Sequence, residues 1–182
     1  MITITTLRPG VDEYAASFAD YVARIADDED IVVVLAGQLD QVLARLGRIA
    51  ESRGDYRYAP EKWSIKEVVG HLSDTERVFA YRALRIGRGD TTPLPSFDDQ
   101  AYVAEMRAGD RTLADLTAEW GDVRRATIAL FRNLPAAAWP RRGIASDRPV
   151  TVRALAYITA GHVRHHLEVL EARYTGDTGA VG

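Results

Sequence analysis

Three of the four histidines in this chain, His162, His165 and His166, fall within Ala160-Gly-His-Val-Arg-His-His-Leu167, and the fourth, His71, stands alone in Val69-Gly-His-Leu-Ser-Asp74. Imidazole is the commonest metal ligand among side chains, so the question is whether these separated positions share one ion. At about 100° per residue, with Leu155 at zero, His162 falls at about −20° and His166 at about +20° on a helical projection. Ile158, Thr159, Val169 and Leu170 lie within about 60° of the same line, so both histidines sit in the middle of the apolar face. One turn apart, two imidazoles can reach a common point. His165, at about −80°, falls at the stripe's edge and is assigned as a neighbour or pocket-wall residue. Two buried histidines can each be satisfied by a hydrogen bond to an adjacent helix; a metal ion would satisfy both at once. The pair is not the metalloprotease motif, which needs Glu directly after the first histidine, where Val163 and Arg164 stand.

His71 is placed less cleanly. With Ile65 at zero, Val69, Leu72, Phe79 and Ala83 lie near the stripe centre, whereas His71 lies about 120° away on a flank with Thr75, Val78 and Arg82. That flank faces either a second neighbouring helix or solvent. Glu76, about +20° from the centre, is anomalous for a core position and predicts either a buried arginine partner or a polar pocket. Asp74 is a candidate to orient the His71 imidazole from behind.

These residues must be carried by helices. Apolar residues at Tyr14, Phe18, Tyr21, Val22 and Ile25 predict a first helix over 12–26 after a short N-terminal arm, and the acidic run 27–30 suits the positive end of the next. Val34, Leu35, Leu39, Val42, Leu43 and Leu46 mark a long amphipathic helix from Ile31 to about Ala50. Ser64-Ile-Lys-Glu67 reads as a capping box opening a helix that runs to Gly89-Asp90. Residues 89–111, with Pro93, Pro95 and Gly109, form a long irregular connection of the kind that is usually functional, with a short helical turn over 101–106. Thr112 caps a helix that Pro135 stops, and Thr151 caps a last helix that Gly176 terminates. No strand pair and no internal repeat is expected. The class is all-α: a four-helix bundle with a short additional N-terminal helix and long irregular connections, one domain over 1–182 with its core at about 31–174.

Composition excludes several functions. Without cysteine there is no disulfide, thiolate metal site or cysteine nucleophile. A net charge of −3 with no basic, aromatic-flanked cluster argues against nucleic acid as a partner. The longest aliphatic run, Ile31 to Ala36, is too short to span a membrane, and the N-terminus does not read as a signal peptide, so a cytoplasmic location is expected.

Residues 60–86, containing Trp63-Ser-Ile-Lys-Glu-Val-Val-Gly-His-Leu-Ser-Asp74, together with the block Ala154 to Leu167, resemble the DinB-like superfamily over about 31–174. The name carries no implication of DNA binding. The resemblance implies a divalent metal held by three histidines, one on the second bundle helix and two, four apart, on the last; these match His71, His162 and His166. Many relatives carry Glu after the first histidine of the last helix, where Val163 stands on a position off the buried stripe. The resemblance also implies low-molecular-weight thiols as cofactors in some members, and homodimers in many.

Three histidines leave coordination positions open, the pattern of catalytic rather than structural zinc. Such an ion lowers the pKa of a water or thiol, and imidazole ligands suit zinc and nickel equally. The expectation is therefore a metal-dependent enzyme, an S-transferase or hydrolase, acting on a small molecule. The alternative is a non-catalytic bundle whose metal site serves stability or dimerisation.

Overall fold

Helix α3 (Ile65–Gly87) is the axis about which the rest of the chain is arranged. In this computed structural model, which describes residues 7–174, it begins at the expected capping box: Ser64 accepts from the Glu67 amide, and the Glu67 carboxylate accepts from the Ser64 amide at 2.7 Å. Gly89, in the left-handed region at φ 86°, turns the chain away after it. Around α3 pack α5 (Leu113–Arg132) and α6 (Val152–Val169), and both also contact α2 (Ile31–Leu46). The bundle therefore runs α2, α5, α3, α6 around its perimeter, with α2 opposite α3. The caps read at Thr112 and Thr151 are present, accepting from the amides of Asp115 and Ala154, and Asp30 of the acidic run caps α2 by accepting from Val32 and Val33.

The interior divides into two apolar clusters. One holds Leu35, Phe79, Ala83, Ile128, Phe131, Leu155 and Ile158; the other holds Val42, Val69, Leu72, Leu116, Trp120, Val163 and Leu167. Between them every bundle helix contributes buried polar side chains, among them Gln38, His71, Glu76, Arg124 and His162. The molecule thus carries a polar layer across its middle, with apolar packing above and below.

Several expectations need correction. The helix expected over 12–26 is α only at α1 (Ala19–Ala23), preceded by 3-10 turns at Val11–Glu13 and Ala16–Phe18. Tertiary contacts override the local periodicity here. The buried Glu13 carboxylate accepts from Thr151 at 2.7 Å and pairs with Arg153 at the start of α6, and Tyr14 is extended. A strand pair exists where none was expected: β1 (Arg142–Ala145) and β2 (Arg148–Thr151) form an antiparallel hairpin. Its two turn residues, Ser146 and Asp147, have φ of 53° and 58°, the signs a type I′ turn requires, yet neither is the glycine or asparagine that usually announces one. α2 ends at Leu46, four residues early. The short turn in the long connection is α4 (Asp99–Glu105). Val163 is 1% exposed rather than off the buried face, because α6 touches α1, α2 and α3 and is buried almost all round. α6 passes into a π turn at Leu170–Tyr174; Gly176, expected to end it, lies outside the described residues. Among the described residues no helix is long and apolar enough to cross a membrane.

Candidate metal centre

His71 from α3 and His162 from α6 meet in the polar layer, 6% and 5% exposed. Their Nε2 atoms are 3.0 Å apart, and His166, one turn beyond His162, closes the group. Each of the three offers a ring nitrogen lying within 4.8 Å of the others'. The flank of α3 on which His71 lies is buried because α3 has two bundle neighbours. Its apolar stripe and Glu76 face α5, and the flank carrying His71 and Thr75 faces α6. Thr75, the next turn of that flank, places its hydroxyl 3.3 Å from His71 Nδ1.

Trp63 packs against His71 with ring centroids 4.6 Å apart, and Tyr21 stands edge-on to His162 at 5.4 Å. Phe79 closes the other side of His162 at 6.0 Å. This apolar collar makes the charged imidazolium unfavourable. Burial pushes His71 down to about 4, opposed in part by the Asp99 carboxylate. Burial and the neighbouring imidazoles push His166 down to about 3 and His162 well below its ordinary value. All three are therefore neutral at pH 7, each with one N–H and one lone pair. Neutral imidazoles are the form in which histidine ligates, and three ring nitrogens gathered this closely suit a divalent cation. The three histidines could bind a metal ion.

The other expected site residues separate. His165 lines the same pocket but stays outside the group, its Nδ1 3.4 Å from the Arg24 guanidinium and its ring against Tyr21; burial, then Arg24, lowers its proton affinity. Asp74 does not orient His71. It sits 3.2 Å from Arg77, and Thr75 holds the position at Nδ1 instead. Arg77, which Asp74 meets, also reaches Glu119 on α5, so that carboxylate is taken up in a surface ion-pair cluster. Glu76 lies outside the pocket; it takes the expected buried arginine as partner, Arg124.

The histidines form the floor of a cavity of about 410 Å³ whose walls include Phe18, Trp63, Arg82, Phe97, Asp99 and Ser146. Asp99, from the first turn of α4, bears on both His71 and Tyr21 electrostatically. Nothing in the sequence singles it out, since its place depends on how the 89–111 connection folds over the bundle. Arg82 did carry a signal, because it shares the helical flank of His71 and Thr75.

The sequence matches the profile of the DinB superfamily over residues 35–170. The chain belongs to the DinB superfamily. YfiT from Bacillus subtilis, whose solved structure is described as a probable metal-dependent hydrolase with an unusual four-helix bundle topology, superposes with a TM-score of 0.64. The match covers 90% of this chain and 91% of that one at 16% identity, so the likeness is one of fold. No curated protein matches the sequence. Among the described residues of this superfamily member, the inward-facing histidines of α3 and α6 supply the one three-residue group with metal-ligand spacing.

Proposed function

We propose that this chain is a metal-dependent enzyme acting on a small molecule, with His71, His162 and His166 as the ligands of a divalent ion, zinc or nickel. The observation that carries this reading is that three neutral, buried imidazoles lie at the floor of an open, ligand-sized cavity rather than in closed packing. A structural site has no use for such an opening. When bound, the ion supplies Lewis acidity, which polarises a carbonyl or acidifies a water or thiol near neutral pH.

The remaining work falls to this chain's own side chains. Thr75 fixes the rotation of the His71 ring, as a hydrogen bond behind a ligating histidine commonly does. Trp63, Tyr21 and Phe79 exclude water from the sides of the imidazoles, so charges in the cavity interact in a low dielectric. Asp99 is the carboxylate at the cavity wall and is assigned as the general base, accepting the nucleophile's proton at a carboxylate oxygen. Hydrolysis is the preferred reaction, supported by the description of YfiT as a probable metal-dependent hydrolase. Transfer from a low-molecular-weight thiol is the other chemistry compatible with the site.

Metal analysis of protein purified without a nickel column tests the first step. One ion per chain, lost in both His71→Ala and His162→Ala while the variants remain folded, is expected. Folded wild-type protein that takes up neither zinc nor nickel overturns the reading. Stoichiometric metal with no turnover of ester, amide or thiol substrates, together with a lower melting temperature on chelation, would instead favour the stability role.

A further inference from the structure

Arg82 is 4% exposed and has no carboxylate within ion-pair distance among the described residues. It forms part of the wall of the cavity that holds the histidines. Its Nη2 donates to the Pro95 carbonyl at 2.7 Å and to Ser146 Oγ at 2.9 Å, both neutral acceptors. Nε and Nη1 have no protein acceptor among the described residues, yet neither is sealed from solvent. A guanidinium cannot shed its proton, and burying one without a counter-charge is costly. Two neutral oxygens that tie the hairpin and the 89–98 segment to α3 do not repay that cost, since they carry no counter-charge.

A second feature converges on the same point. Ser146, which accepts from Arg82, stands at the first position of the hairpin turn, which fixes its backbone beside the guanidinium. The tip of the hairpin is clamped there by Ser146 N to Leu94 O at 3.0 Å and Leu94 N to Ile144 O at 2.9 Å. Because the Ser146 oxygen accepts from Arg82, its hydroxyl hydrogen remains to be donated. N–H donors, an O–H donor and a positive charge with no carboxylate partner, lying over the Phe97 ring, thus line one end of the cavity.

We propose that Arg82, with the Ser146 hydroxyl beside it, anchors a carboxylate or phosphate group of the substrate. The substrate class is therefore a small organic anion, gripped at the Arg82 end while its reacting bond lies at the histidines. His71, Thr75, Phe79 and Arg82 recur at three- and four-residue steps along α3, so one helix face carries both ends of the site, their backbones about 16 Å apart along the axis. Phe79 and, across the cavity, Phe97 supply the apolar walls between. The reacting end of this assignment rests on the metal-dependent reading above; the anion site does not.

The test uses the full-length, metal-free protein, with succinate and its uncharged isostere succinamide as probes in titration calorimetry at pH 7. Saturable succinate binding is expected, at least about tenfold tighter than succinamide. Arg82→Gln should abolish that preference and Arg82→Lys retain most of it, with zinc uptake unchanged in both. Ser146→Ala keeps the guanidinium and should weaken succinate severalfold, which preserves the test if Arg82→Gln does not fold. Succinate bound equally by wild type and Arg82→Gln, bound no better than succinamide, unaffected by Ser146→Ala, or not bound at all, overturns the assignment. Binding that instead falls on removal of Arg45, Arg48 and Arg53, which line a separate groove, overturns it equally. Failure of the wild type to take up metal overturns the preceding reading alone and leaves this one standing.

Discussion

Arg124 and Arg82 are both guanidinium groups sunk into the interior of the same bundle, and the fold treats them in opposite ways. Arg124 is fully buried and fully paired. Its Nε and Nη2 reach both oxygens of Glu76 at 2.8 and 2.7 Å, and its Nη1 donates to Gln38 at 2.7 Å, while Gln38 donates onward to the Ala160 carbonyl. One such network joins all four bundle helices and leaves no group seeking a ligand. Arg82 meets two neutral oxygens and an open cavity. The same contrast separates Glu76 from the histidines: the carboxylate found its counter-charge within the protein, whereas the three neutral imidazoles gather at the cavity. Polar groups satisfied internally hold the bundle in register, and those left unsatisfied beside a cavity mark where another molecule fits.

Removing each guanidinium in turn separates the two roles. Arg124→Met leaves the Glu76 carboxylate buried and alone, and should cost about 3–5 kcal/mol in urea denaturation. Arg82→Gln should cost less, about 1–3 kcal/mol, because it strands two neutral oxygens rather than a buried charge. Equal losses for the two variants would show that both arginines are structural.

The imidazoles should betray themselves by pH. Their proton affinities in the folded state lie below the ordinary value of 6.5, at about 4 for His71 and about 3 for His166. Between those values the unfolded chain binds more protons than the folded one, so stability rises with pH. Metal-free protein should therefore be fully stable above about pH 6.5 and lose on the order of a few kcal/mol as pH falls through about 4, with a shallower slope in His71→Ala. A flat profile over that range would mean that the histidines are not held neutral by burial.

Gly161 sharpens the link between the two regions and the N-terminal segment. A Cβ there would lie 1.9 Å from the Tyr21 carbonyl oxygen, so α6 and α1 approach at a point only glycine allows. Gly161→Ala should destabilise by about 1–3 kcal/mol and shift Tyr21 off His162, read as weakened metal affinity with the Glu76–Arg124 pair undisturbed. The smallest effect belongs to α3 itself, which carries both regions: Ser64→Ala removes its cap and should cost about 1 kcal/mol, lowering the melting temperature without altering metal stoichiometry.

Much of this was legible along the chain. The spacing of His162 and His166 on one helical face, the caps at Ser64, Thr112 and Thr151, and the anomaly at Glu76 are local properties, because helical periodicity converts sequence position directly into direction. The four bundle helices follow from the same rule. What stayed hidden depends on pairing between distant segments. Whether the His71 flank faced a helix or solvent was decided by the order of helices around the bundle, which places α3 between α5 and α6. The identity of the arginine beside Glu76 was decided by the register of α5 against α3. The β1–β2 hairpin formed over a Ser-Asp turn without a glycine signal, since its tip is clamped to Leu94 from another part of the chain. Asp99 and Ser146 reach the cavity only because the two least regular connections fold over it. Residue type and helical phase show which residues could do chemistry and which helices carry them; the packing of helices and connections chooses which of them meet. A side chain's direction is set within one turn of its own helix, whereas its company is set by contacts whose sequence separation no local pattern records.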